Sequence, residues 1–279
     1  MQDDRSRREA FFDTAAAETP YLAIETRHGE LLFTRSANLR FGKQLFIRGQ
    51  SKDMKFLTRA VSLLGEAGIT LAGTTIVDVG ANIGTTTVTA LRRHGFSRAV
   101  AVEAYSENVR TLRINVAAND LNGVVDLFAV AVSDTEGQQD LFLSDVSSGE
   151  HTIDPSLPRS KQTERVTVRA VTLDGMVSRG EIDPARIGLL WIDVPRTETR
   201  ALAGASALLK AGVPVVTAVR ARKPYNWPDT KARLMSLLGT YTDFALLRGD
   251  AEERSTDLGC LLEGLNGNSD LLAFRRPVR

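Results

Sequence analysis

The sequence predicts an α/β fold, in which helices cover a mostly parallel sheet and a small hairpin and helix precede it. Two observations favour this fold. From Thr75 onward, short apolar segments such as 99–102 alternate with segments of helical periodicity such as 106–119. This alternation is typical of parallel strands joined by right-handed crossovers. The length of 279 residues, with 43% hydrophobic and 25% charged residues, suits one main core with a small appended element.

The N-terminal part differs in pattern from the rest of the chain. Residues 1–70 are predicted to form a hairpin and a cap helix, and residues 71–279 the main domain. The apolar segments within 21–34 flank His28-Gly29, which indicates a turn between two strands. A helix is expected from about Ser51 to Gly65, because apolar residues recur there at intervals of three and four.

The segment Thr75-Ile-Val-Asp-Val-Gly-Ala-Asn-Ile-Gly84 is the most informative motif. It predicts a buried strand, a glycine turn and the start of a helix whose free amides face a ligand. A triphosphate-binding loop would have a lysine after the second glycine, but Thr85 follows Gly84. A nicotinamide fingerprint would have three glycines in the order G-x-G-x-x-G, so a nicotinamide oxidoreductase is the weaker hypothesis.

An acidic residue follows the next predicted strand. Glu103 ends the apolar segment 99–102, at the place where nucleotide-binding α/β folds bind ribose hydroxyls. The glycine turn also carries Asp78 and no basic residue. A cationic nucleoside such as S-adenosylmethionine therefore fits this pattern better than a pyrophosphate does.

These residues resemble the FkbM family of S-adenosylmethionine-dependent methyltransferases over about residues 74–220. The motifs that carry the resemblance are Asp78–Gly84, Glu103 with Asn108, Val171–Asp174, Leu190–Val194 with Glu198, and Leu202–Ala205. The resemblance implies a class I methyltransferase Rossmann-like sheet that ends with an antiparallel strand. It also implies O-methylation of a hydroxyl on a sugar, glycan or secondary metabolite.

The predicted cofactor-binding residues belong to the glycine turn and the two strand ends beside it. They are Asp78, Gly80, Ala81, Asn82, Ile83, Gly84, Glu103, Ala104, Asn108 and Ala131. Ala131 is expected near the adenine, because it lies close to the end of a predicted strand 124–132. The next predicted segments are a strand 140–143, a helix 197–211, and two C-terminal strands at 258–262 and 271–274.

Three residues are candidates for catalysis. Asp193 ends the apolar segment 188–194, where a carboxylate is costly without a function, and it could act as a base or through a bound divalent cation. Glu198 follows it and could instead belong to the first turn of a helix. His151 lies in the aperiodic segment 144–163, which is predicted to be a mobile lid over the site.

The family pattern is broken at several positions on the acceptor side. Pro195 and Arg196 stand where the family usually has Glu or Gln followed by Gly, Ala218 replaces a frequent acid, and Ala104 replaces a proline. These departures favour a second hypothesis, a non-catalytic or weakly active S-adenosylmethionine-binding module. The cationic and aromatic segment 220–228 is expected to rim the acceptor site.

Composition limits the partners that we expect. The net charge of +1 predicts no nucleic-acid partner, and the acceptor is expected to be a small molecule or glycan. The single cysteine, Cys260, predicts a cytoplasmic location. No run of eighteen apolar residues occurs in the sequence, so we expect no membrane insertion.

Overall fold

The structure is a computed structural model that describes residues 2–144, 147–156, 164–221 and 226–277. Its N-terminal elements are α1 (Gln2–Glu18), β1 (Tyr21–Glu25), β2 (Leu31–Arg35), α2 (Phe41–Arg48) and α3 (Lys52–Glu66). β1 and β2 pair antiparallel, which confirms the predicted hairpin. The Ser51 side chain accepts a hydrogen bond from the Met54 amide and so caps the start of α3. Helix α2 was not predicted.

The alternating part of the chain follows. It comprises β3 (Thr75–Val79), α4 (Thr85–Arg93), β4 (Arg98–Val102), α5 (Ser106–Ala118) and β5 (Val125–Phe128). Two asparagines of this part hold the hairpin strand β2. Asn119 exchanges two hydrogen bonds with the backbone of Leu31, and Asn115 does the same with Phe33. The division of the chain near residue 70 stays a prediction.

The predicted strand 124–132 is divided in two. β5 belongs to the central sheet, whereas β6 (Ala131–Val132) pairs with a strand of a separate three-stranded sheet, because the chain bends at Ala129 and Val130. The other members of that sheet are β7 (Gly137–Leu143) and β8 (Glu164–Val171), and the strand order is β6-β8-β7. Ala131 therefore belongs to the smaller sheet and not to the central one.

The remaining elements complete the fold. They are α6 (Leu173–Ser178), β9 (Ile187–Ile192), α7 (Glu198–Ala203), α8 (Ser206–Lys210), β10 (Val215–Arg220), α9 (Trp227–Leu238), β11 (Asp243–Arg248), β12 (Ala251–Ser255), α10 (Leu258–Glu263) and β13 (Asn268–Phe274). The predicted helix 197–211 forms two helices, because the Asp174 carboxylate accepts hydrogen bonds from the amides of Ser206 and Ala207 and starts α8 afresh.

The prediction of a strand at 258–262 is wrong, since these residues form α10. Asp257 caps the helix by accepting a hydrogen bond from the Cys260 amide. Leu258, Leu261 and Leu262 are buried, which is the spacing of a helical face. The apolar run alone does not distinguish a short buried helix from a strand.

The central sheet has eight strands in the order β12-β11-β13-β10-β9-β3-β4-β5. β13 runs antiparallel between β10 and β11, which confirms the predicted mostly parallel sheet with a late antiparallel strand. β12 is also antiparallel to its neighbour. The carboxyl ends of β3, β4 and β9 meet at one edge of the sheet. Within the described ranges, no helix is long and apolar enough to cross a lipid bilayer.

Candidate active site

The glycine turn after β3 brings the backbone close to β9. The amides of Gly80 and Ala81 both donate to the carbonyl oxygen of Val102, at 2.9 and 3.0 Å. Gly80 has a φ of +83°, and a Cβ built on it would lie 2.3 Å from the carbonyl oxygen of Asp193. A side chain at this position would push β3 and β9 apart, so only glycine fits.

The second half of the turn supports the helix. A Cβ at Gly84 would lie 2.3 Å from Cδ1 of Leu112, so the absence of a side chain lets α4 approach α5. Ala81 and Ile83 are buried in the same apolar cluster as Leu112. Ala81, Ile83 and Gly84 therefore support the turn by packing against the apolar core.

Glu103 connects the turn to the end of β4. Its Oε2 accepts a hydrogen bond from the Asn82 amide at 2.9 Å, and its Oε1 accepts from the Tyr105 amide at 2.9 Å and from Asn108 Nδ2 at 3.3 Å. Burial raises the pKa of Glu103, and these hydrogen bonds act in the opposite direction. A carboxylate has about four acceptor positions, so Glu103 can still accept from a ligand hydroxyl.

Asp78 is buried behind the turn. Thr87 of α4 donates a hydrogen bond of 2.5 Å from its Oγ1 to Asp78 Oδ2. Burial raises the pKa of Asp78 to about 7. Asp78 thus links β3 to α4, the strand and the helix on either side of the glycine turn.

A pocket with an empty volume of about 530 Å³ opens to solvent at the carboxyl ends of β3, β4 and β9. The predicted residues on its wall are Gly80, Asn82, Glu103, Ala104, Ala131, His151 and Asp193. Those predicted residues that lie off the wall are Asp78, Ala81, Ile83, Gly84, Asn108 and Glu198. Apolar wall residues that sequence reasoning did not single out include Val130, Val132, Leu141, Ile153 and Val194.

Asp193 and Glu198 share one cation. Arg220, the last residue of β10, places Nη2 2.9 Å from Asp193 Oδ1, and its Nη1 contacts Glu198 Oε1. Arg220 was expected on the acceptor rim, but its guanidinium is engaged by these two acids. The predicted rim residues 222–225 lie outside the described part of the chain.

A second charged pair lies next to this one and was not found from the sequence. Lys52 Nζ is 3.0 Å from Asp270 Oδ1, and Asp270 stands directly opposite Ala218 in the pairing of β10 with β13. Burial, and then the charge of Asp193, raise the pKa of the nearby Asp53 to about 7. Asp270 directly precedes the apolar run 271–274 of β13, and an acid at the start of such a run was the available sequence signal.

The segment 147–156 covers the pocket and is held on two sides. Ser148 donates to Asn82 Oδ1 at 3.0 Å and accepts from Asn38 Nδ2 at 2.5 Å. On the other side, Thr152 Oγ1 donates to the carbonyl oxygen of Pro195 at 2.5 Å. The predicted lid extends over 144–163, of which residues 145, 146 and 157–163 lie outside the described ranges.

Arg196 adds an ion pair to this cover. Its Nε lies 2.8 Å from Asp154 Oδ2, and its backbone has a φ of +71°. That conformation favours glycine, which agrees with the glycine that the family usually has at this position. Arg196 thus forms an ion pair with the covering segment, at the cost of a backbone conformation that glycine adopts more easily.

His151 faces the pocket from the same segment. The Ser144 amide donates to His151 Nδ1 at 2.9 Å, and burial lowers the pKa of the imidazole to about 4. The neutral ring consequently carries its proton on Nε2. This tautomer makes Nε2 a hydrogen-bond donor, so the geometry does not favour the predicted role of His151 as a base.

The sequence leaves open whether a divalent cation assists Asp193. Within the residues that the structure describes, no group of three or more His, Cys, Asp or Glu side chains could hold one. Lys52 and Arg220 already balance the charges of Asp270 and Asp193.

The sheet order and the pocket at its carboxyl edge define a class I methyltransferase fold. The methyltransferase FkbM domain family matches residues 78–245, and the chain belongs to this family. A comparison with curated protein sequences gives no significant match.

Several solved structures are similar to this chain. A methyltransferase FkbM from Methylobacillus flagellatus KT has 14% identity and a TM-score of 0.48, with 86% of this chain and 53% of that chain covered. The chain therefore spans about half the length of that protein. A precorrin-6y C5,15-methyltransferase from Geobacter metallireducens GS-15 has 12% identity and a TM-score of 0.43, with 81% and 94% covered.

The expectation of no nucleic-acid partner is wrong. The similar structures include a putative RNA methyltransferase from Pyrococcus horikoshii, with 15% identity, a TM-score of 0.39, and 80% of this chain and 85% of that chain covered. The similar structures also include proteins described as tRNA methyltransferases. A net charge of +1 averages over the whole surface, and it excludes no substrate class for this fold.

Proposed function

We propose that the protein is an S-adenosylmethionine-dependent O-methyltransferase that acts on a hydroxyl of a sugar, glycan or secondary metabolite. The observation that carries the proposal is the pocket itself. Glu103 and Asp193 both line it, at the ends of β4 and β9, and Gly80 follows β3, the strand between those two, with no side chain. The exposed free Cys260 is consistent with a cytoplasmic location, which we include in the proposal.

The residues present fit the cofactor. Glu103 offers a remaining acceptor position for ribose hydroxyls, and Ala104 and Ala131 supply small apolar surfaces beside it. A Cβ at Gly80 would take up the space next to the Asp193 carbonyl. When bound, S-adenosylmethionine supplies a methyl group activated by a sulfonium. Among the described residues, the wall carries carboxylates and no lysine or arginine, which suits a cationic ligand.

The chain's own contribution is to align the acceptor and to handle its proton. Arg220 binds Asp193 Oδ1 and so fixes the carboxylate at the pocket wall. We assign Asp193 Oδ2 to the acceptor hydroxyl, whose proton it takes as the oxygen gains the methyl group. Glu198 orients Arg220 from the side away from the pocket. Alignment of this kind supplies a large part of the rate in such transfers.

The second candidate is the non-catalytic or weakly active S-adenosylmethionine-binding module. The observation that favours it is the same Arg220, because its guanidinium occupies Oδ1 of Asp193 and leaves only Oδ2 of this carboxylate for an acceptor. Pro195 and Arg196 also depart from the family pattern in the turn that follows Asp193, and this departure favours the same candidate. This hypothesis predicts cofactor binding without methyl transfer.

Turnover separates the two candidates. Purified protein is incubated with S-adenosylmethionine carrying an isotopically labelled methyl group and with fractionated cell extract, a panel of sugars and glycans, and RNA. We expect S-adenosylhomocysteine to form and the label to appear on an oxygen of a sugar, glycan or secondary metabolite. Binding of the cofactor with no product in any fraction supports the binding module, and label on RNA alone contradicts the proposed acceptor class.

A further inference from the structure

The imidazole of His151 is fixed by a backbone contact. Nδ1 accepts the hydrogen bond of the Ser144 amide at 2.9 Å, which leaves the ring proton on Nε2. Nε2 is buried, and no acceptor within the described part of the chain reaches it. A buried donor without a protein partner is uncommon, and it suggests that a ligand supplies the acceptor.

The ring lies on the Glu103 side of the pocket. Its centroid is 4.5 Å from that of Tyr105, with the planes at 71°, and the Tyr105 amide donates to Glu103 Oε1. Ala131, Leu141 and Ile153 form the apolar surface beside it, with Ala104 packed against them. His151 lines the pocket, and a small apolar surface with a fixed N–H donor close to Glu103 matches an aromatic base with ring nitrogens.

We infer that His151 is a specificity-determining residue that donates a hydrogen bond from Nε2 to a ring nitrogen of the cofactor's adenine. This inference rests on the proposed function. Adenine presents unprotonated ring nitrogens as acceptors, and a fixed N–H donor selects for them. Asp193 lies at the end of β9, on the far side of β3 from Glu103 and β4. Because His151 lies on the Glu103 side, we expect it to contact the nucleoside and not the acceptor.

Two substitutions separate the nitrogens of His151. His151→Asn keeps an acceptor near the Nδ1 position, so it retains the Ser144 contact and removes the Nε2 donor. His151→Gln places an amide N–H near the Nε2 position and removes the Nδ1 acceptor. We expect the affinity for S-adenosylhomocysteine, measured by calorimetry, to fall on the order of tenfold in His151→Asn and by less than about threefold in His151→Gln.

Ligand analogues test the same contact in the unmodified protein. The 1-deaza, 3-deaza and 7-deaza analogues of S-adenosylhomocysteine each replace one ring nitrogen by carbon. One of them should bind the wild type on the order of tenfold more weakly, and that analogue should lose nothing further in His151→Asn. Equal affinity of the wild type for all three analogues overturns the inference, and so does an unchanged affinity in His151→Asn.

The test also distinguishes this inference from the proposed function. If S-adenosylhomocysteine does not bind the wild type, both fail. If it binds the wild type and is weakened by Glu103→Ala but not by His151→Asn, only the role of His151 fails.

Discussion

Arg220 donates a hydrogen bond from Nη2 to Asp193 Oδ1 at 2.9 Å, while its other terminal nitrogen contacts Glu198. The two acids that the sequence predicts as catalytic therefore have unequal positions, because Asp193 lines the pocket and Glu198 lies behind it. One cation orients both.

Asp193→Asn should slow methyl transfer by about a hundredfold, since it keeps the shape of the side chain and removes the negative charge that accepts a proton. Affinity for S-adenosylmethionine should remain close to that of the wild type. Single-turnover kinetics and calorimetry measure the two effects separately. Glu198→Gln is the matched control, and an equal loss in both variants would show that orientation of Arg220 accounts for the whole effect.

Glu103→Ala should weaken S-adenosylmethionine binding on the order of tenfold or more, because hydrogen bonds to a charged acceptor are worth about 1.5 to 3 kcal/mol. Glu103→Gln keeps the volume and one acceptor oxygen, so its loss should be smaller. Calorimetry gives both values, and NAD serves as the ligand that should not bind. Unchanged affinity in Glu103→Ala would remove this residue from the cofactor site.

Gly80→Ala should destabilise the fold by more than Gly68→Ala. The two glycines have nearly the same φ, +83° and +82°, but a Cβ at Gly68 meets nothing within 4 Å, whereas a Cβ at Gly80 meets the Asp193 carbonyl at 2.3 Å. Positive-φ strain of about 1 kcal/mol is common to both variants and cancels in the comparison. Urea unfolding should show the excess loss at Gly80, and equal losses would contradict the close approach of β3 and β9.

The stability of the protein relative to Asp78→Asn should depend on pH. The pKa of Asp78 is raised in the folded state to about 7 from its ordinary value of 3.8, so its contribution to stability is fully present below the unfolded value and is lost as the pH rises to about 7. The free energy of unfolding of Asp78→Asn should therefore improve relative to wild type between pH 4 and 7 and then level off. A difference that is constant with pH would contradict the shift.

Arg196→Gly should loosen the cover of the pocket. The substitution removes the ion pair with Asp154 and relieves a positive φ, which costs a residue other than glycine about 1 kcal/mol or more. Hydrogen exchange in the segment 147–156 should be faster than in the wild type when the site is empty. Bound cofactor and acceptor should slow it, and exchange that ligands do not change would refute the predicted lid.

The sequence by itself determined the parallel part of the central sheet and the place of the site at the carboxyl ends of its strands. A strand, a glycine turn and a helix are local features, and an acid at the end of each following strand must lie at the same edge of a parallel sheet. Gly80, Glu103 and Asp193 were predictable for this reason, and all three line one pocket.

Only the tertiary structure decided how these residues are supported. The bridge from Arg220 to Asp193 and Glu198 and the pair of Lys52 with Asp270 join segments that are far apart in the chain, so no local periodicity encodes them. The tautomer of His151 likewise depends on a single backbone amide, that of Ser144. Strand patterns report which faces are buried, but the protonation and orientation of a side chain are set by the partners that folding brings to it.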